Sequence, residues 1–195
     1  MMLGSTRSRI KEKIETLLGL QIIRASRHGH FDCFDINRSG CEISLIFDVG
    51  ANIGQSARKF EVSFPKAKIH CFEPVSATFE ILRKNMDGHA NVTCHNVALG
   101  DSEGEATVYL KDVSFTSSLV KPNTSNTITS SERVEVQTVD GFVLENKIER
   151  IDLLKIDVEG FDLIVLKGSQ NILSAGKVPF VLVEVGFQPG DTRHV

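Results

Sequence analysis

Five short apolar runs, at 44–49, 68–72, 91–97, 151–156 and 178–185, punctuate this chain, and most stop abruptly at glycine, acid or amide residues. Runs that are apolar on both faces belong to a parallel sheet covered on both sides by helices. The spacing between them agrees. Helices are expected at 53–62, stopped by Pro65, and at 76–86, where Phe79, Leu82 and Met86 share a face and Ser76 can cap. Two shorter helices are expected at 161–167 and 169–175, ended by Gly168 and Gly176. The expected fold class is therefore α/β, with a doubly wound, mostly parallel sheet. Two further stretches, 106–110 and 134–138, alternate like strands. Between them, residues 114–131 hold ten Ser or Thr and read as a mobile loop.

With 195 residues the chain is long enough for one domain and a short appendage. Residues 1–42 are expected to hold an amphipathic helix and a connection, and 43–195 the main domain. No run approaches the roughly 20 apolar residues of a membrane span, and no secretory signal pattern opens the chain. A soluble, cytoplasmic, reduced protein is expected. The net charge of -3 leaves no footprint of a dedicated nucleic-acid binder. Cys33, Cys41, Cys71 and Cys94 lack the spacing of a zinc or redox motif, so no metal is expected, and Cys71 and Cys94 read as small core residues. Six histidines form no His-x-x-x-His pair, and no nucleophile elbow supports triad hydrolysis. His70 and His95 read as satisfied core or edge residues.

In doubly wound sheets ligands bind beyond the C-terminal strand ends, so chemistry is sought there. The first end reads Asp48-Val49-Gly50-Ala51-Asn52-Ile53-Gly54. Gly50 allows a tight turn close to a ligand, Gly54 a close helix, and Asp48 puts a carboxylate at the mouth. A dinucleotide fingerprint wants glycine where Asn52 stands, and a Walker loop wants Gly-Lys-Ser/Thr; neither is present. Glu73 follows Gly50 by 23 residues, a spacing suited to a carboxylate accepting from ribose hydroxyls. Pro74 can lie against a purine face, and Asn96 with Ala98 can flank it. A glycine turn and a spaced acid without a pyrophosphate cradle fit S-adenosylmethionine better than NAD.

The fourth end, Asp157-Val158-Glu159-Gly160, sets two acids before a helix. They either cap that helix or serve a cationic cofactor and take a proton from a hydroxyl. Lys155 lies two residues before Asp157, on the same face of the strand, where its charge can act on that acid. Glu184, inside the last apolar run, either faces the site or pairs with a base.

The segments Phe47-Asp48-Val49-Gly50-Ala51-Asn52-Ile53-Gly54, Phe72-Glu73-Pro74, Asn96-Val97-Ala98-Leu99 and Asp152-Leu153-Leu154-Lys155-Ile156-Asp157-Val158-Glu159-Gly160 recur together in one known family. Over about 45–185 the chain resembles the FkbM family of S-adenosylmethionine-dependent methyltransferases. The resemblance implies a class I methyltransferase (Rossmann-like) fold and O-methylation of a hydroxyl on a sugar, glycan or polyketide-like acceptor. It implies that Asp48, Gly50, Ala51, Asn52 and Gly54 line the methionine end, that Glu73 and Pro74 hold the ribose side, and that Asn96 to Ala98 approach adenine. Asp157 and Glu159 are implied near the transferring methyl as the catalytic acids. Where the family commonly has Glu two residues after the motif's Gly, this chain has Asp162. The Ser-rich stretch 115–119 is implied to face the acceptor.

Against the seven-strand plan of that fold, the closing antiparallel hairpin is expected to be missing and the last strand to be an open edge. A shortened member or a fragment is the expectation, with homo-oligomer formation through that edge. The competing readings are a catalytically impaired cofactor-binding module and, more weakly, an NAD-linked enzyme.

Overall fold

The computed structural model describes Cys33, Ile36 and residues 39–111, 117–118, 128–158 and 160–183. Five parallel strands form its central sheet: β1 (Leu45–Val49), β2 (Lys68–Phe72), β3 (Val92–His95), β8 (Leu153–Ile156) and β9 (Phe180–Val183). Their spatial order is β3-β2-β1-β8-β9. The chain winds outward from β1 to β3, then restarts on the other side of β1 at β8. The order therefore reverses between β1 and β8, the switch point beyond whose carboxyl ends sheets of this class bind ligands.

Strand residues alternate between two buried layers. Ile46, Ile69 and Leu153 face one side, packed with Ala57, Phe60, Leu82 and Met86 of α1 (Gln55–Ser63) and α2 (Ser76–Asn85) and the turn after it. Phe47, Phe72, Leu154 and Ile156 face the other. There they meet Val139 and Phe142 of α3 (Val139–Glu145), Val165 of α4 (Asp162–Lys167) and Ile172 and Leu173 of α5 (Gln170–Ser174). Burial on both faces explains why β1 and β8 are apolar apart from Asp48 and Lys155, whereas the outer strand β3 carries Thr93 and His95 and is only partly buried. The α/β doubly wound reading holds.

The chain between β3 and β8 differs from expectation. The run at 91–97 forms a strand only over β3, which ends at His95, and just beyond the run β4 (Ala98–Gly100) belongs to a second sheet with β5 (Gly104–Lys111), β6 (Ser117–Ser118) and β7 (Ile128–Thr138). At the break, Val97 and Leu99 join the central core while Ala98 packs with Val75, Val108 and Val134. The segment thus straddles two cores, which forces the pairing partner to change. The Ser/Thr-rich segment is also more ordered than a loop at its ends, since β6 and the start of β7 lie within it.

Helix α3 was not anticipated from the sequence. Thr138 caps it, its Oγ1 accepting from Gly141 N at 2.9 Å. Ser76 does not cap α2; Val75 holds that position, and the Ser76 hydroxyl donates to Glu132. No helix among the described residues is long and apolar enough to cross a membrane. The expected N-terminal helix, Glu184 and the region of the closing hairpin lie outside the described residues.

Candidate active site

The turn after β1 is built against its two neighbours in the sheet. Gly50 N and Ala51 N both donate to Phe72 O, at 3.1 and 3.0 Å, drawing the turn towards the end of β2. Gly50 has φ +73°, and a Cβ there would lie 2.0 Å from Asp157 O, so the turn also rests on the end of β8. Only glycine satisfies both conditions. Gly54, φ +94°, brings α1 against Met86 at the end of α2, whose Cε would be 2.7 Å from an added Cβ.

Glu73 closes this corner. Its Oε2 accepts from Asn52 N at 3.1 Å and its Oε1 from Val75 N at 3.0 Å, so one carboxylate joins the β1 turn to the start of α2. Each oxygen keeps a further lone pair for another donor. Burial raises the Glu73 pKa from its ordinary value, while the two backbone N–H bonds and Lys155 pull the other way. Asn96 holds the corner from β3: its Nδ2 donates to Glu73 O and Pro74 O, both at 2.9 Å.

At the junction of β1 and β8, Asp48 and Lys155 are register partners. Lys155 Nζ lies 2.9 Å from Asp48 Oδ1 and 3.5 Å from Asp157 Oδ2. It also donates to Gly50 O at 3.0 Å. The side chains of Asp48 and Lys155 are 0% and 6% exposed, whereas that of Asp157 is 45% exposed. Burial alone would depress the Lys155 pKa; the facing charges of Asp48 and Asp157 outweigh it and raise the value, keeping the ammonium charged. Asp48 Oδ2 is buried and takes no hydrogen bond from the described residues.

Of the residues singled out in the sequence, Asp48, Gly50, Ala51, Asn52, Gly54, Glu73, Pro74, Asn96 and Asp157 come together at the carboxyl edge of β1, β2 and β8 or at its rim. Ala51 and Ala98 are buried in packed clusters. Glu159 lies outside the described residues, as does most of 115–119. Sequence reasoning undervalued two residues. Lys155 was noted only as a neighbour of Asp157, yet it ties both acids and the glycine turn; a lone Lys inside Leu153-Leu154-Lys155-Ile156 was the available signal. Asp162 is buried, and its carboxylate accepts from Val158 N and Gly160 N, both at 3.3 Å, shaping the turn after β8.

A cavity of about 600 Å³ opens at the opposite edge of the sheet, lined in part by Cys41, Leu45, Ile148 and Asp152. Its buried acid is already engaged: Asp152 accepts from Ser44 N and Leu45 N and pairs with Arg150 at 2.6 Å. The carboxyl edge, by contrast, gathers Asp48, Glu73, Lys155 and Asp157.

Residues 48–195 match the sequence profile of the methyltransferase FkbM domain. The chain belongs to the FkbM methyltransferase family. Hexuronic acid methyltransferase AglP of Haloferax volcanii is 32% identical over 159 residues, 79% of this chain and 62% of that protein. Methyltransferase 1 of Beauveria bassiana is 31% identical over 144 residues, 64% of this chain and 58% of its own length. The 2-O-methyltransferase NoeI of Sinorhizobium fredii is 28% identical over 157 residues, covering 74% and 64%. The chain thus spans about three fifths of the length of these FkbM relatives. The region matched by the profile begins at Asp48 and contains every site residue described above.

Proposed function

We propose that this FkbM-family chain is an S-adenosylmethionine-dependent O-methyltransferase whose acceptor is a hydroxyl on a sugar, glycan or polyketide-like molecule. The observation that carries the reading is the junction of β1, β2 and β8. There, a carboxylate with spare acceptor capacity, Glu73, adjoins a glycine turn, and a half-exposed carboxylate, Asp157, stands across from it. That donor set fits a nucleoside diol at one end and a cationic group at the other. The buried Asp48 Oδ2 adds to the negative character. The relatives' names favour a sugar hydroxyl as the acceptor class.

When bound, the cofactor supplies an electrophilic methyl group. This chain's residues must then hold the acceptor oxygen in line with it and remove the hydroxyl proton as the oxygen attacks. Asp157 and Glu159 are the proposed bases, each receiving that proton on a carboxylate oxygen. Asp48, Gly50, Ala51, Asn52 and Gly54 form the proposed methionine end, and Glu73 with Pro74 the ribose side. Asn96 fixes the backbone of that side, and Ala98 leaves room behind it. Asp162 holds the turn that carries Glu159.

Calorimetry with S-adenosylmethionine, S-adenosylhomocysteine and NAD tests the cofactor. Binding of the first two supports the reading, and binding of NAD alone overturns it. Methyl transfer to a panel of uronic-acid glycans, neutral sugars and alcohols tests the activity. Asp157→Asn and Glu159→Gln should each cut turnover by about 100-fold or more, with far smaller changes in cofactor affinity. Cofactor binding without transfer to any acceptor would favour a binding module instead.

A further inference from the structure

The charges at the β1–β8 junction do not cancel. Two carboxylates, Asp48 and Asp157, face one ammonium, Lys155, at 2.9 and 3.5 Å. Asp48 is wholly buried and 0% exposed, so it acts outward only through Lys155, its register partner. The same ammonium holds Gly50 O at 3.0 Å and Val49 O at 3.5 Å, which prevents it from turning wholly towards either acid. Its closer contact is with Asp48. Asp157, with the longer contact and a 45% exposed side chain, is left with charge to present at the open edge. Glu73, at the end of β2, contributes the same sign.

We propose that Lys155, divided between Asp48 and Asp157, is a specificity-determining residue. It holds the Asp48–Lys155–Asp157 cluster at one net negative charge, to which Glu73 adds, so that the site prefers a sulfonium cofactor to the uncharged thioether that remains after methyl transfer. This rests on the cofactor assignment made above. Lys155 positions and meters charge; it touches neither cofactor nor acceptor. Low exposure keeps solvent from screening Asp48 and Lys155, and the half-exposed Asp157 carries a change in their charge to the edge. The consequence for the reaction is directional, because loss of the positive charge from the ligand weakens its hold and speeds release of the product.

The test is the ratio of Kd for S-adenosylhomocysteine to Kd for S-adenosylmethionine, measured by calorimetry on the full chain. Asp48→Asn removes one negative charge from a wholly buried side chain of the proposed methionine end and frees Lys155 for Asp157. The ratio should fall by about fivefold to tenfold. The double variant Asp48→Asn with Lys155→Met restores one net negative charge with near-isosteric neutral side chains. Its ratio should return to within about twofold of the native value, and replacing a buried ion pair in this way is compatible with folding. A merely structural role predicts the reverse, with both ligands weakened together and the double variant weaker than the single. Should Asp48→Asn fail to fold, Asp157→Asn carries the same charge change and should lose the preference that the double variant keeps.

A ratio unmoved by the single substitutions, or a double variant that falls as far as Asp48→Asn, overturns the inference alone. Failure of the native chain to bind either ligand overturns the cofactor assignment and this inference with it.

Discussion

Gly50 concentrates the residue-scale constraints at one position. Its φ of +73° strains any side chain, and the space a Cβ would need is taken by Asp157 O, a backbone atom that cannot swing aside. Gly50→Ala should therefore cost about 3 kcal/mol or more in stability and separate the β1 turn from β8. Urea unfolding measures the first effect and loss of S-adenosylmethionine binding the second. A variant of native stability would show that the turn can relax. The need for glycine here was legible in the sequence, because a strand ending in Gly-Ala-Asn-Ile-Gly must bend sharply. Which surface the turn bends against was not. It is the end of β8, where the Asp157 carbonyl fills the space a Cβ would need.

Helix α3 illustrates what is decided at the scale of elements. Gly141 within it and its seven residues hide the helical signal, since glycine disfavours a helix interior and a short helix is marginal alone. Tertiary anchors compensate. Thr138 caps the helix, and Asp140 accepts from Asn171 N and Ile172 N at 2.8 and 2.9 Å, tying α3 to the first turn of α5. Thr138→Ala should destabilise by about 1 kcal/mol, as cap removals do. Asp140→Ala should cost about 1–2 kcal/mol, because it leaves two helix-terminal N–H groups unpaired at once. Urea midpoints of the two variants check both values, and equal or smaller loss for Asp140→Ala would show that solvent replaces its bonds. The break between β3 and β4 belongs to the same scale. No glycine or proline interrupts 91–97, yet the strand stops at His95 because Val97 joins one core and Ala98 another.

At the scale of the whole molecule, pH dependence follows from an imidazole pair outside the proposed site. His70 Nδ1 and His95 Nε2 are 2.9 Å apart, in rings 3° from parallel, enclosed by Phe47, Phe72 and Phe142. One nitrogen of the pair donates and the other accepts. Burial lowers both pKa values, with Lys68 adding to the effect on His70 and His70 to that on His95, which falls to about 4. The native state thus resists protonation that the unfolded chain accepts near pH 6.5. Stability is full above about pH 6.5 and falls as pH drops towards 4, the window in which only the unfolded chain gains the proton. His95 should contribute on the order of 1 to 2 kcal/mol of that loss, once partial solvent screening is allowed for. His95→Gln keeps a donor and an acceptor but does not titrate. Urea unfolding at about pH 7 and about pH 4.5 should show a smaller acid loss for the variant than for the native chain. Parallel losses would clear the pair of any part in acid sensitivity.

The number of central strands, their parallel pairing and the chemical character of their ends were all determined by sequence alone. Apolar runs closed by glycine and acid have one stable arrangement when helices must cover both faces. Asp48, Glu73 and Asp157 were recognisable for that reason. What each acid touches was decided by tertiary structure, because contact depends on register and on which strands become neighbours. Placing β8 beside β1 sets Lys155 opposite Asp48 and within reach of Asp157, although more than a hundred residues separate the two strands. The same assembly engages both Glu73 oxygens with backbone N–H groups of two different turns. Acids at strand ends follow from composition and order along the chain; the division of one lysine's charge between two of them arises only when the strands meet.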